Sequence, residues 1–214
     1  SWAGESYVLF GKNTDATNNS FDQQINLADF ETSDGKTGFV LRGASANDES
    51  GRSVSSAGDF NADGLDDILI GALKADPGDI DAAGESYLIF GRSQSEAVFD
   101  LSSLSSGDKT DGIVFNGVVA GDYSGQSVSS AGDVNGDGFD DIIIGAVYAN
   151  PGDPERSMAG EGYVVFGYGA IIKNNEGTIV SNSGTNVSED DTLNADYTTL
   201  YDPVGFDSNT VAYQ

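Results

Sequence analysis

The sequence predicts an all-β chain made of repeated units, each of four short antiparallel strands. First, the chain repeats itself: "AGESYVLFG" (3–11), "AGESYLIFG" (83–91) and "AGEGYVVFG" (159–167) recur at spacings of 80 and 76 residues. Second, its apolar runs are only a handful of residues long, rich in Val, Ile, Tyr and Phe, and bounded by Gly or Asp, as half-buried strands between turns are. Third, no segment keeps a 3.6-residue apolar period for ten residues, while Gly alone accounts for 29 of 214 positions.

Each element follows from such runs, in chain order. The first unit supplies a third strand near 7–10 and a fourth near 39–41. A full unit follows, with strands near 52–57, 67–73, 86–90 and 112–116. The next begins at about 126 and supplies strands one to three, with "GTIVSN" (177–182) as the candidate fourth. "DLSSLSSGD" (100–108) is the most helix-tolerant piece and is expected to form a turn at most. The near-continuous apolar run "DILIGAL" suits a strand covered on both faces. Four antiparallel strands per repeat is the unit of a β-propeller blade, and a blade needs stacked neighbours to bury its faces. The count is about two and a half to three blades, fewer than the roughly four to eight of a closed propeller. The propeller is therefore incomplete unless other chains or a longer parent complete it. Residues 1–169 hold the repeats, and the polar stretch 170–214 reads as a linker, an interface arm or the start of another β module.

Composition narrows the chemistry. There is no Cys and no His, which removes thiolate metal sites, the commonest zinc ligand and every His-containing catalytic triad. Asp and Glu total 35 against nine Lys and Arg, a formal charge of −26 that argues against nucleic acid or an anionic membrane as partner. No apolar run approaches the roughly 20 residues of a membrane helix. Starting at Ser1 without Met or leader, the chain is expected to be a processed product or a piece of something longer.

The acidity is organised. "SAGDFNADGLDDILIGA" (56–72) returns as "SAGDVNGDGFDDIIIGA" (130–146). Asp59, Asn61, Asp63 and Asp67 stand at positions 1, 3, 5 and 9 of the first loop, and Asp133, Asn135, Asp137 and Asp141 do so in the second. Position 6 is Gly64 or Gly138, which permits a sharp turn. Oxygen side chains at alternate positions of a tight loop can wrap around one hard cation. The carbonyls of Leu65 and Phe139 at position 7 can join them while those side chains turn to the core. Asp66 and Asp140 are weaker ligand candidates. An EF-hand differs, because it needs a Glu at position 12, where Ile70 and Ile144 stand inside an apolar strand. Two Ca2+ sites are expected, since a multidentate cage suits the larger ion better than Mg2+. Plain Asp-rich hairpin turns are the bland alternative, made improbable by the second copy.

Other recurrences carry less. Glu5, Glu85 and Glu161 stand before the third strands, where solvated or hydrogen-bonded carboxylates are the simpler reading than catalytic ones. Asp48 and Asp122 are expected to serve turns before the first strands. Asn18 and Asn186 match the glycosylation sequon. Trp2 and the Tyr residues offer sugar-stacking faces, though strand Tyr more simply pack between blades.

"YLIFG", "DILIGAL" and the "DFNADGLDD" before the latter resemble the FG-GAP repeat, over about residues 3–167. That repeat builds the β-propeller of integrin α subunits, and the wording here is similar to bacterial versions found in secreted or surface proteins. The resemblance implies calcium at the two Asp/Asn loops. The Pro that follows Gly-Ala in the family is replaced by Leu73 and Val147. The leading expectation is a non-enzymatic, calcium-binding adhesion or interaction module outside the cell or on its surface, bacterial in origin, with other proteins or surface glycans as partners. The alternative is a structural subunit of a filament or surface layer that self-associates through open blade edges. A glycan-acting hydrolase using Glu85 and Glu161 is the minor third reading.

Overall fold

The computed structural model describes residues 3–12, 24–92, 96–105, 110–150 and 158–168, together with the backbone of 172–173 and 179–180. The chain divides into two compact units, Ser1–Gly169 and Ala170–Gln214.

The first unit is all-β, as expected. Its strands are β1 (Glu5–Leu9), β2 (Gly38–Arg42), β3 (Ser53–Gly58), β4 (Asp67–Ala72), β5 (Glu85–Ile89), β6 (Val98–Asp100), β7 (Gly112–Asn116), β8 (Ser124–Gly132), β9 (Asp141–Ala146) and β10 (Glu161–Val165). The central blade is a four-stranded antiparallel sheet of order β3-β4-β5-β7. The preceding sheet joins β1 to β2 antiparallel, and the following one has the order β10-β9-β8.

Two features, β6 and a turn at Leu27–Thr32, went unforeseen. β6 runs parallel to β2, with Val98 opposite Val40, and so lends a strand of the central repeat to the preceding sheet. Three residues show no usable alternation, so nothing local could have assigned them a partner. The linkers between third and fourth strands each carry a 3-10 turn. Residues Leu27–Thr32 form one, capped by the Asn26 side chain on the Ala28 N–H, and Leu101–Ser105 form the other, within the segment read as a turn at most. Each buries apolar side chains, Phe30 in one and Leu101 and Leu104 in the other.

In the second unit, β11 (Ile172–Lys173) pairs antiparallel with β12 (Ile179–Val180). This corrects the expectation that 177–182 supplies the third blade's fourth strand: among the described residues, β10 has β9 as its partner. A short apolar run signals a strand but does not choose between partners.

The core lies between the sheets. On one side of the central blade, Ile70 and Ala72 of β4 and Tyr87 and Ile89 of β5 pack with Phe39 and Leu41 of β2 and with Leu101 and Leu104. On its other side, Leu69, Leu88 and Phe90 pack with Ile142 and Ile144 of β9. Alternate residues of β4 therefore serve opposite interfaces, which explains its unbroken apolar run.

Candidate metal centre

The turn between β3 and β4 (residues 59–66) and the turn between β8 and β9 (133–140) carry the predicted ligands and fold alike. Asp59 accepts the Asp63 N–H on Oδ1 at 2.9 Å and the Gly64 N–H on Oδ2 at 3.0 Å. In the second loop, Asp133 accepts from Asp137 at 3.0 Å and from Gly138 at 2.9 Å through the same two oxygens. Asn61 and Asn135 each accept the same Asp63 or Asp137 N–H and donate their amide to that residue's carboxylate, at 3.0 and 2.7 Å. Asp63 and Asp137 accept the N–H of Leu65 and Phe139 at 2.9 and 3.0 Å. Gly64 and Gly138 have φ of 88° and 91°, the left-handed turn predicted for position 6.

The two terminal aspartates differ from the rest, because Asp67 and Asp141 are almost fully buried. Asp67 Oδ2 accepts the Phe60 N–H at 3.0 Å and its Oδ1 accepts the Gly91 N–H at 2.8 Å. Asp141 does the same with Val134 and Gly167, both at 2.8 Å. The Asp67 carboxyl is pushed up to about 6: burial raises it most, the Gly91 and Phe60 hydrogen bonds partly offset that, and the charges of Asp63 and Asp59 add to it.

The donor set is all oxygen, which fits a hard cation in kind. Carboxylate oxygens that accept one N–H keep a second lone pair for another partner. Among the described residues, however, no group of three or more acidic side chains is gathered tightly enough to hold a metal ion as it stands. The position-7 side chains do not enter the core as expected: Leu65 is 40% exposed and Phe139 is half-buried. Leu65 lies over Gly91, and Phe139 lies against Gly167, where any larger residue would collide with its Cβ.

The FG-GAP repeat profile matches residues 50–89 and 124–165, which hold the two loops and their flanking strands. These units are FG-GAP repeats. Integrin alpha-5 from Xenopus laevis is 34% identical over 105 residues, covering 47% of this chain and 9% of that protein. Integrin alpha ina-1 from Caenorhabditis elegans is 36% identical over 70 residues, covering 33% of this chain and 6% of that one. The chain thus spans less than a tenth of either relative.

Just after each matched FG-GAP segment, the Phe-Gly pair has a specific task that residue-by-residue reading missed. The glycines of Phe90-Gly91 and Phe166-Gly167 donate the N–H groups that hold Asp67 and Asp141, tying strand three back to the acidic loop. The recurrence of Phe-Gly 24 and 26 residues after the last loop Asp was the available signal. The recurring glutamates also have partners. Glu5 and Glu161 accept the hydroxyls of Tyr7 and Tyr163 at 2.7 and 2.6 Å, and Glu85 accepts that of Tyr87. Burial raises the Tyr87 and Tyr163 hydroxyls, and the Glu partner raises them further. Asp48 and Asp122 are buried, which raises both carboxyls. Asn18, Asn186 and Trp2 lie outside the described residues.

Proposed function

We propose that this chain is a calcium-binding module for adhesion or protein interaction, working outside the cell or on its surface. The supporting observation is the duplicated loop: two acidic turns in separate blades, with the same side chains making the same hydrogen bonds. Asp59, Asn61, Asp63 and the Leu65 carbonyl, with Asp67, would hold one Ca2+; Asp133, Asn135, Asp137 and the Phe139 carbonyl, with Asp141, would hold the other. The ion would supply positive charge to loops that otherwise crowd carboxylates. The exposed Asp63 and Asp137 carboxylates each accept two N–H groups, one per oxygen, which leaves lone pairs for it. The FG-GAP match and the integrin alpha relatives support an interaction role for the blade rim, with proteins or surface glycans as partners. A hydrolase role finds no comparable support.

The test is calorimetric titration with Ca2+ alongside thermal melting. Two sites are expected, and at a hundredfold excess over Kd each would stabilise the fold by about 2.7 kcal/mol. Melting that ignores both Ca2+ and chelator would overturn the reading.

One observation favours self-association as a second reading. Ile143, Val164 and Phe166 are 40%, 47% and 55% exposed, yet they occupy the repeat positions at which Leu69, Leu88 and Phe90 are buried by the next blade. Light scattering over a range of concentrations separates a subunit that stacks through this face from one that stays monomeric.

A further inference from the structure

Resting on the calcium reading, we propose that the two loops are one coupled unit, in which Asp140 of the second loop props the first and makes its cation affinity depend on the second. Asp140 stands beside the buried Asp141, and its Oδ2 accepts the Asp59 backbone N–H at 3.0 Å, across the interface between blades. Asp59 is the first ligand position of the other loop. The contact is close enough to dictate sequence. A Cβ on Gly58 would lie 2.0 Å from that Asp140 oxygen, so Gly58 leaves the space Asp140 enters.

A second connection runs beside it. Asp141 holds the Gly167 N–H, and the next residue, Tyr168, donates its N–H to the Phe60 carbonyl at 2.8 Å. The Tyr168 ring meets the Phe60 ring edge-on at 5.7 Å. Phe60 in turn donates its own N–H to Asp67, the last ligand position of the first loop. Both contacts therefore fasten the start of the first loop, at Asp59 and Phe60, to the segment that the second loop organises, and Phe60 carries the link on to Asp67. An ion that orders residues 133–141 orders Asp140 and Tyr168, and the first loop then loses less conformational freedom when it binds its own ion. Asp66, which takes Asp140's place in the first loop, is exposed, yet the coupling carried by Asp140 alone changes the affinity of both ions by the same factor.

The test uses the whole chain and Ca2+ alone. Removing the second site with Asp133→Asn and Asp137→Asn should weaken Ca2+ binding at the first by about fivefold. Asp140→Ala should weaken the first site similarly and, because the coupling is reciprocal, remove the matching gain at the second when the first is filled; combining it with the site-two changes should add little. Asp140→Asn, which keeps an acceptor oxygen, should retain most of the affinity. A first site indifferent to both Asp140→Ala and the loss of site two overturns the coupling while leaving two independent calcium sites standing. Hydrogen exchange without metal gives a separate readout: the Asp59 amide should exchange faster in Asp140→Ala than in Asp140→Asn. Unchanged protection removes the prop itself, and an absence of Ca2+ binding in the parent chain defeats the calcium reading and the coupled affinity with it.

Discussion

Asp67 is a buried carboxylate held by two backbone N–H groups, so its loss is felt at once. Replacing it with Ala strands the Phe60 and Gly91 donors, and we expect a loss of about 3 kcal/mol in urea denaturation, with Ca2+ absent. The loops also contain one position where they differ informatively. Position 4 is left-handed in both, Gly136 at φ 78° and Ala62 at φ 54°. Ala62 carries a Cβ penalty that Gly136 does not, so Ala62→Gly should stabilise the chain by about 1 kcal/mol by the same measurement.

At the scale of the strand, repeat identity and burial separate. Leu88 of β5 and Val164 of β10 occupy the same place in their repeats, opposite Leu69 and Ile143 respectively. Leu88 is fully buried by the following blade, whereas Val164 is 47% exposed. Leu88→Ala should therefore cost about 3 kcal/mol, and Val164→Ala well under 1 kcal/mol, as read from denaturation midpoints at constant slope. Equal losses would mean that Val164 is covered in solution, as the stacking reading requires. The strands themselves were legible because each is a compact β-branched or aromatic run between turn residues; β7 falls at 112–116 as read. β6 and the turn at Leu27–Thr32 were not, because a three-residue strand and a one-turn helix are selected by what they pack on rather than by their own pattern.

For the whole molecule, charge governs the response to pH. Asp67 sits at about 6 when folded, and burial also raises Asp48, Glu85 and Asp122. Each of these binds its proton more tightly in the folded chain than in the unfolded one. Stability without divalent cation should therefore rise as pH falls from 7 toward 5, the window between the raised and the ordinary carboxyl values. Partial neutralisation of a chain with formal charge −26 acts in the same direction. In saturating Ca2+ the trend should reverse, because protons compete with the ion for the same oxygens. Thermal melts at pH 7 and 5.5, in chelator and in millimolar Ca2+, check both signs.

The sequence by itself determined the all-β class, the repeated blade, and the two loops with their oxygen side chains at alternate positions, because strand alternation and turn chemistry are local properties written once per repeat. Tertiary structure alone decided which members of a repeat are buried, as Leu88 and Val164 show. It also decided that Asp67 and Asp141 hold the Phe-Gly backbone, that β6 crosses to a neighbouring sheet, and that Asp140 reaches the other loop. Those facts depend on what lies across an interface, and near-identical local wording does not encode that.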